Sequence, residues 1–373
     1  MKYILQYARS IVHALTTSAA AYNGNKAYVD GDYATSLRIF RPLADQGFAL
    51  AQVNLGDMYV KGEGVTQDFQ EAVKWYRLAA KQGNAIAQFN LGVMYSLGQG
   101  VTQDFQEAVK WFRLAAKQGY AEAQVNLGDM YGKGQGVPQD YKEAVKWIRL
   151  AAKQGDVKAQ AYLGDMYSKG QGVPQNNKEA VKWYRLAAKQ GDAKAQINLG
   201  YMYRLGQGVP QNDMESVKWF RLAAEQGNSD AQFNLGAMYG LGQGVTQDYK
   251  EAVKWFRLAA EQGFAIAQVS LGDMYSLGQG VPQNDKESVK WYRLAADHGH
   301  ATAQARLGAM YRLGQGVPQD YIHAHVWYNL ATANLTDAKY RNSVTQFRDD
   351  MVGKMTSEQI TEAQRLAREW KPK

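Results

Sequence analysis

The five histidines are the residues of this sequence whose types and spacing come nearest to a chemical site. Four of them form two pairs, His298 with His300 and His323 with His325, and the fifth is His13. Each pair is spaced i, i+2, whereas two zinc ligands on one helix stand four residues apart. The chain has no cysteine, which excludes thiolate ligands and cysteine nucleophiles. Because nucleophile elbows, phosphate-binding loops and dinucleotide fingerprints are also missing, we predict no metal site, no cofactor and no enzymatic activity.

The charge and hydropathy of the chain limit the classes of partner. It carries 43 basic and 35 acidic residues, a net charge of +8, with lysines and glutamates interspersed. Rows of basic residues equivalent to Lys74 and Arg77 could attract phosphate, but Glu71 and its equivalents lie one turn away and predict a neutralised, solvated face. No run of about 18 apolar residues offers a membrane span. We therefore predict no nucleic-acid partner and no stable membrane insertion.

A tandem repeat dominates the sequence. Eight tryptophans recur at intervals of 36 residues, so that residues 48–335 divide into eight repeats without insertion or deletion. The positions are Trp75, Trp111, Trp147, Trp183, Trp219, Trp255, Trp291 and Trp327. Self-similarity at this period is typical of stacked helical arrays.

Each repeat divides into two helices, here called helix A and helix B, of about 15 residues each. In the first repeat, Gly62 can close helix A in the left-handed conformation. Asp68 can cap helix B, and Glu71 has the spacing that would complete a capping box. Gly56 and its equivalents lie in the middle of helix A, where glycine costs about 1 kcal/mol relative to alanine. Their recurrence predicts that helix B approaches too closely to leave room for a Cβ atom.

A single hairpin of this size cannot bury both of its faces, so neighbouring hairpins must stack around one core. We therefore predict an all-α fold, a right-handed α/α solenoid (superhelix) of eight 36-residue helical-hairpin repeats, with a concave and a convex surface. N- and C-terminal helices are expected to cap the array.

The repeat resembles that of the Sel-1-like repeat family, a relative of the tetratricopeptide repeat. The similarity rests on the pattern A-x-A-Q-x-x-L-G-x-M-Y-x-x-G-x-G-V, found in nearly every repeat. Residues 22–47 look like the degenerate first hairpin of bacterial members, and residues 336–373 look like C-terminal capping helices, with capping-box spacing at Thr356 and Gln359. Family members are mostly adaptors that assemble protein complexes. The resemblance thus implies a non-enzymatic scaffold whose concave surface binds a protein or peptide, in a bacterial envelope or host-interaction setting.

A second function is a cell-wall protein of the envelope that binds or hydrolyses peptidoglycan or β-lactam ligands. Some cysteine-rich members of the family are credited with binding β-lactam compounds. This chain lacks those cysteines, which weakens the analogy.

The most specific candidate for a partner site is an apolar groove with a basic flank on the A helices of repeats five and six. It consists of Tyr201, Arg204, Leu205, Ala237 and Leu241. Exposed apolar patches with polar rims mark interaction sites. The alternative is that these apolar residues pack neighbouring A helices together.

Two further patterns vary along the A helices. An asparagine recurs in five repeats and could either hold a peptide backbone or bond a neighbouring helix. These asparagines are Asn54, Asn90, Asn126, Asn198 and Asn234. Three repeats carry opposite charges at i, i+4, which predicts ion pairs along the helix. These pairs are Asp57/Lys61, Asp129/Lys133 and Asp165/Lys169.

Residues 1–21 permit two interpretations. Small residues before Tyr22 resemble the cleavage site of a secretory signal peptide. The apolar residues from Ile4 to Leu15 instead trace an amphipathic helix that could dock on the first hairpin. We favour export, and hence a periplasmic or secreted protein; the alternative is a cytoplasmic one. The sequence does not specify an oligomeric state.

Overall fold

The computed structural model describes residues 19–373, and within this range the chain forms helices and no strand. The first described helix, α1, covers 19–29. The others are α2 Tyr33–Asp45, α3 Ala49–Lys61, α4 Phe69–Lys81, α5 Ala85–Leu97, α6 Phe105–Lys117, α7 Ala121–Lys133, α8 Tyr141–Lys153, α9 Val157–Lys169, α10 Asn177–Lys189, α11 Ala193–Leu205, α12 Asp213–Glu225, α13 Ser229–Leu241, α14 Tyr249–Glu261, α15 Ala265–Leu277, α16 Asp285–Asp297, α17 Ala301–Leu313, α18 Tyr321–Asn334, α19 Ala338–Val352 and α20 Ser357–Glu369. The interpretation of residues 1–21 as a signal or amphipathic helix falls, for 1–18, outside the described residues.

The chain forms two compact units, an N-terminal unit up to Ala187 and a C-terminal unit from Ala188 to Lys373. In each unit, helix B packs against helix A of its own repeat and against helix A of the next repeat. The helical-hairpin repeat is therefore confirmed. Its arms have 13 residues rather than about 15, because the segment from Gly62 to Asp68 is a loop.

The predicted helix ends are confirmed, but the prediction of a capping box at the start of helix B is wrong. Gly62 closes α3 with a φ of 73°, and the Asp68 side chain accepts from the amides of Gln70 and Glu71. Glu71 does not return to the Asp68 amide, which donates to the Tyr59 carbonyl at 3.0 Å. Its carboxylate instead pairs with Lys74. At α20, by contrast, Thr356 and Gln359 form the complete box, as predicted.

The glycine in the middle of helix A is explained by helix B, as expected. A Cβ atom on Gly56 would lie 2.6 Å from the Tyr76 ring, and one on Gly92 would lie 2.7 Å from the Phe112 ring. Both distances are far inside van der Waals contact. Glycine thus permits an aromatic side chain to pack directly on the backbone of helix A.

A buried glutamine near the start of each helix A links successive repeats, and sequence reasoning missed it. In α7, the Gln124 amide donates to the Ala116 carbonyl at 3.1 Å, and its carbonyl accepts from Gln154 at 2.9 Å. Equivalent relays start at Gln52, Gln88, Gln196 and Gln232. The relay ends after Gln232, because His298 and Asn334 replace the donating glutamine in the last two repeats; Gln304 Oε1 is buried without a partner within residues 19–373. These bonds satisfy polar groups at each junction between hairpins.

The lysine and the arginine in the middle of helix B, such as Lys74 and Arg77 in α4, are engaged rather than free. These mid-helix lysines pair with glutamates one turn earlier, at distances up to 3.6 Å, which confirms the neutralised face at these positions. The arginines donate to a tyrosine 18 residues ahead, on helix A of the next repeat, as Arg113 does to the Tyr131 hydroxyl at 2.8 Å. The same bond joins Arg41 to Tyr59, Arg77 to Tyr95, Arg149 to Tyr167, Arg221 to Tyr239, Arg257 to Tyr275 and Arg293 to Tyr311.

The last helix B carries a histidine at a position where the seven other repeats have valine. His325 of α18 is 4% exposed, with its Nδ1 3.0 Å from Asn329 Nδ2. Burial, followed by the charge of Arg348, lowers the pKa of His325 below its usual value, and Asp349 opposes this shift. The folded chain therefore favours the neutral ring.

We expect the C-terminal unit to lose stability as the pH falls below about 6.5, the ordinary pKa of histidine. Below that value the unfolded chain binds a proton that the folded chain does not, which costs up to about 1.4 kcal/mol per pH unit. The change His325→Val should remove this part of the pH dependence, leaving that of His300, whose pKa is also lowered by burial. The measurement is the thermal midpoint of both proteins at about pH 7.5 and about pH 5.5. An equal loss in both proteins would contradict the assignment.

Candidate protein-interaction groove

Five of the predicted partner-binding residues line one cavity in the C-terminal unit. The cavity has a volume of about 450 Å³ and lies between the A helices α11 and α13. The five are Arg204, Leu205, Asn234, Ala237 and Leu241. The sequence pattern therefore brought together residues that are neighbours in space.

A second cavity of about 390 Å³ continues the first towards α15. The two share Phe233, Ala237 and Leu241, and the second adds Leu277. We call this surface the leucine groove and define it by Leu205, Leu241 and Leu277 with the shared floor residues Phe233 and Ala237. The three leucines are 57%, 66% and 66% exposed.

These leucines are exposed because each is the last residue of its helix A. The next residue is a glycine in the left-handed conformation, such as Gly206 after Leu205, so the chain turns away and no later turn of helix covers the side chain. At the equivalent position, the N-terminal unit has Lys61, Lys133 and Lys169, and leucine only at Leu97. The continuous apolar row is therefore a feature of the C-terminal unit.

Asn234 holds the rim of the groove in place instead of offering a free amide. It is 3% exposed. Its Nδ2 donates to the Tyr201 hydroxyl at 2.7 Å and to Asp230, and its Oδ1 accepts from Arg204 at 2.9 Å. The guanidinium of Arg204 is thereby positioned at one end of the groove.

Tyr201 lies beneath the groove and does not line it. Its ring packs edge-on against Phe220, with the ring centroids 5.1 Å apart. Its hydroxyl donates to Asp230 at 3.0 Å, and burial, followed by the charge of Asp230, raises the pKa of Tyr201. Tyr201 therefore packs neighbouring helices together, as in the alternative interpretation, whereas the leucines remain exposed to solvent.

The other asparagines divide between the two interpretations. Asn54 donates to Asn25 at 2.9 Å and Asn90 donates to Asp57 at 3.1 Å, both as links between neighbouring helices. Asn198 lies half-buried at the same position of α11. Asn126 lines a separate cavity of about 340 Å³ in the N-terminal unit. At Asn54, Asn90 and Asn234 the asparagine therefore joins neighbouring helices.

The predicted ion pair along helix A forms in one of its three places. Lys133 pairs with Asp129 at 2.7 Å. Asp57 and Asp165 instead accept from the hydroxyls of Tyr76 and Tyr184 on helix B, at 2.5 and 2.7 Å. The prediction is wrong at these two because a buried carboxylate is better satisfied by a nearby hydroxyl than by an exposed lysine. Burial raises the pKa of Asp57.

The rim of the leucine groove carries polar side chains that make no hydrogen bond within residues 19–373. They include Gln211 and Asp213 at the first cavity, Gln243 beside it, and Gln279 at the second. An apolar floor with unbonded amides at its edge can bury side chains of a ligand and bond its backbone. In the described part of the chain, no cluster of histidine and acidic residues could hold a metal ion. Nor does any helix of that part combine the length and apolar character needed to cross a bilayer.

Comparison with known proteins agrees with the repeat architecture. The Sel1 repeat family profile matches eight consecutive segments, 49–84, 85–120, 121–156, 157–192, 193–228, 229–264, 265–300 and 301–334. Among curated proteins, none matches this sequence significantly.

Two similar proteins of known structure cover most of the chain. A Sel1 repeat protein from Oxalobacter formigenes is 36% identical, with a TM-score of 0.65 over 84% of this chain and 90% of its own. A protective antigen of uropathogenic Escherichia coli, c5321, which has the same fold, is 34% identical, with a TM-score of 0.54 over 98% of this chain and 94% of its own. Eight profile matches in unbroken succession, on the hairpins described above, show that this chain belongs to the Sel1 repeat family.

Proposed function

We propose that this protein is a non-enzymatic scaffold that binds a segment of a partner protein in the leucine groove. Sel1 repeat proteins generally mediate protein–protein interactions, and their fold is typically a non-catalytic scaffold. The observation that carries the proposal is the row of three leucines more than half exposed over an apolar floor. Apolar surface of this kind is costly in water and marks sites that a partner covers.

The regular row of equivalent leucines favours an extended ligand. Three residues of a polyproline II segment span about 9 Å and return the side chain to the same face. A partner segment with an apolar residue at every third position would place one side chain beside each leucine. The amides of Gln243 and Gln279 would bond its backbone.

The proposal is tested with peptides selected from a displayed random library against the full chain. The variant Leu205→Lys/Leu241→Lys/Leu277→Lys should weaken their binding by about 10-fold or more, because three charges replace the apolar contacts. Lysine occupies the equivalent position at Lys61, Lys133 and Lys169, so helix A tolerates it.

The matched control is Leu97→Lys in the N-terminal unit, which makes the same change outside the groove and should leave the affinity unchanged. Circular dichroism reports whether each variant is folded. Equal binding by the triple variant and the native chain would refute the groove.

We further propose that the protein acts in the bacterial envelope or outside the cell. Support comes from the small residues before Tyr22 and from the similarity to c5321, a protective antigen, since antibodies reach proteins outside the cytoplasm most readily. Mass spectrometry of the protein from its native host tests this. A mature chain that begins at or near Tyr22 is expected, and an intact Met1 would contradict export.

A further inference from the structure

The C-terminal end of each helix B in the N-terminal unit presents an exposed leucine followed three residues later by a lysine. The spacing places both side chains on one face of the helix. The pairs are Leu78/Lys81, Leu114/Lys117 and Leu150/Lys153. The leucines are 42–45% exposed, and the ion pairs of these helices use other lysines. We call this surface the basic edge.

In three consecutive repeats of the C-terminal unit, on α12, α14 and α16, the same position carries the opposite charge. The pairs there are Leu222/Glu225, Leu258/Glu261 and Leu294/Asp297, and we call this surface the acidic edge. Its leucines are 39% exposed. Glu225 and Glu261 are exposed and form no ion pair in the described part of the chain.

An acidic residue in the last turn of a helix is unfavourable on local grounds. The helix dipole places partial negative charge at this end, which favours lysine and disfavours glutamate. The basic edge follows this rule, and the acidic edge breaks it at all three positions. Local rules are most often broken where a residue serves a function.

The third acidic position shows which group satisfies it. Asp297 is contacted by the ammonium of Lys373, from the C-terminal end of the chain, at 2.5 Å. A lysine can therefore form an ion pair with the carboxylate at this position of the repeat. Glu225 and Glu261 present the same arrangement without such a lysine.

We infer that the acidic edge of one copy of this chain binds the basic edge of a second copy. Both edges are built on the same 36-residue repeat, so their leucine–charge pairs recur with the same spacing. When the two rows run in opposite directions, leucine faces leucine and lysine faces glutamate. The contact buries exposed apolar side chains and pairs the lysines of the basic edge with Glu225 and Glu261, which form no ion pair within residues 19–373.

Two charge-reversal variants test this surface. The first, Lys81→Glu/Lys117→Glu/Lys153→Glu, makes the basic edge acidic; the second, Glu225→Lys/Glu261→Lys, makes the acidic edge basic. Each substitution installs the residue that another repeat carries at the same position, so the fold should be preserved. Circular dichroism checks that it is.

Sedimentation velocity at low salt measures the mass of the full chain. The native protein should associate beyond the 41.6 kDa of one chain, and added salt should weaken the association. Each variant alone has two edges of like charge, so its affinity for itself should fall by about 10-fold or more. An equimolar mixture should recover the association, because an acidic edge of one variant then meets a basic edge of the other.

Three results would overturn the inference. The native chain could remain monomeric at all concentrations, the variants could associate as strongly as the native chain, or the mixture of the two variants could sediment as monomers. Binding of a single native chain to vesicles of anionic lipid, lost in the first variant, would assign the basic edge to a membrane surface instead. The variant Leu205→Lys/Leu241→Lys/Leu277→Lys should self-associate like the native chain. A failure of the self-association inference can therefore be distinguished from a failure of the proposed peptide binding.

Discussion

Gly100→Ala is expected to destabilise the N-terminal unit by about 2–5 kcal/mol, far more than Gly83→Ala. Both glycines have positive φ, 68° and 88°, so alanine at either position costs about 1–2 kcal/mol of backbone strain. A Cβ atom on Gly100 would in addition lie 2.2 Å from the carbonyl oxygen of Phe69, in the preceding repeat. Backbone cannot rotate away as a side chain can, so the junction must open by overpacking, at about 1–3 kcal/mol.

Gly83 is the matched control, because a Cβ atom there would meet nothing within 4 Å. Urea unfolding followed by circular dichroism gives the loss of stability for each variant, and hydrogen exchange of α4 to α6 locates it. Equal losses in the two variants would show that the strain of the left-handed conformation, and not the close approach of the repeats, explains this glycine.

Gly236→Ala and Gly240→Ala are expected to have opposite effects within one helix. A Cβ atom on Gly236 would lie 2.8 Å from the Phe256 ring and 3.2 Å from the Ala252 carbonyl, whereas one on Gly240 would have an ordinary contact of 3.7 Å with the Ala252 Cβ. The first change should cost about 1–3 kcal/mol by overpacking. The second should stabilise α13 by up to about 1 kcal/mol, because alanine favours the helix over glycine.

The two positions are one turn apart in α13. The same replacement therefore affects the unfolded chain equally in both variants, and both positions face the same neighbouring helix. Thermal unfolding of the C-terminal unit measures the difference. The variant Gly236→Ala/Phe256→Leu should recover part of the loss, because a smaller side chain then faces the new methyl group. If Gly236→Ala were neutral, the aromatic packing on helix A would not be the reason for glycine in the middle of the helix.

The proposed groove and the proposed edges divide the surface of the protein by chemistry. The groove lies on A helices and is apolar only in the C-terminal unit, where leucine replaces the lysines of the N-terminal unit. The edges lie on B helices and have the same leucines in both units but opposite charge. One repeat therefore supplies a constant hairpin, while a few exposed positions differ between the units and can specify different partners.

The repeat, the two helices and their ends could be predicted from the sequence because their causes are local. Gly62 ends its helix by its own conformation, and Asp68 caps the next helix by bonding amides two and three residues away. The predicted close approach at Gly56 also followed from a local cost repeated in every repeat. These features need no knowledge of which hairpin lies beside which.

The candidate groove could be predicted only in part, because exposure depends on neighbours distant in the chain. The residue types at Leu205 and Leu241 indicated an apolar groove, but Tyr201 belongs to the packing beneath it and Leu277 extends it. The bonds of Asn234 to residues 30 and 33 positions away had no sequence signal.

The sequence alone determined the hairpin and its 36-residue period, since helix propensity, caps and apolar spacing act within a few residues. Only the tertiary structure decided which polar groups are satisfied and which apolar ones stay exposed. The Gln124 to Gln154 relay and the Arg113 to Tyr131 bond join different repeats, and the same stacking leaves Leu241 uncovered. The reason is that burial and hydrogen bonding are properties of a residue's surroundings, which exist only once the hairpins have packed.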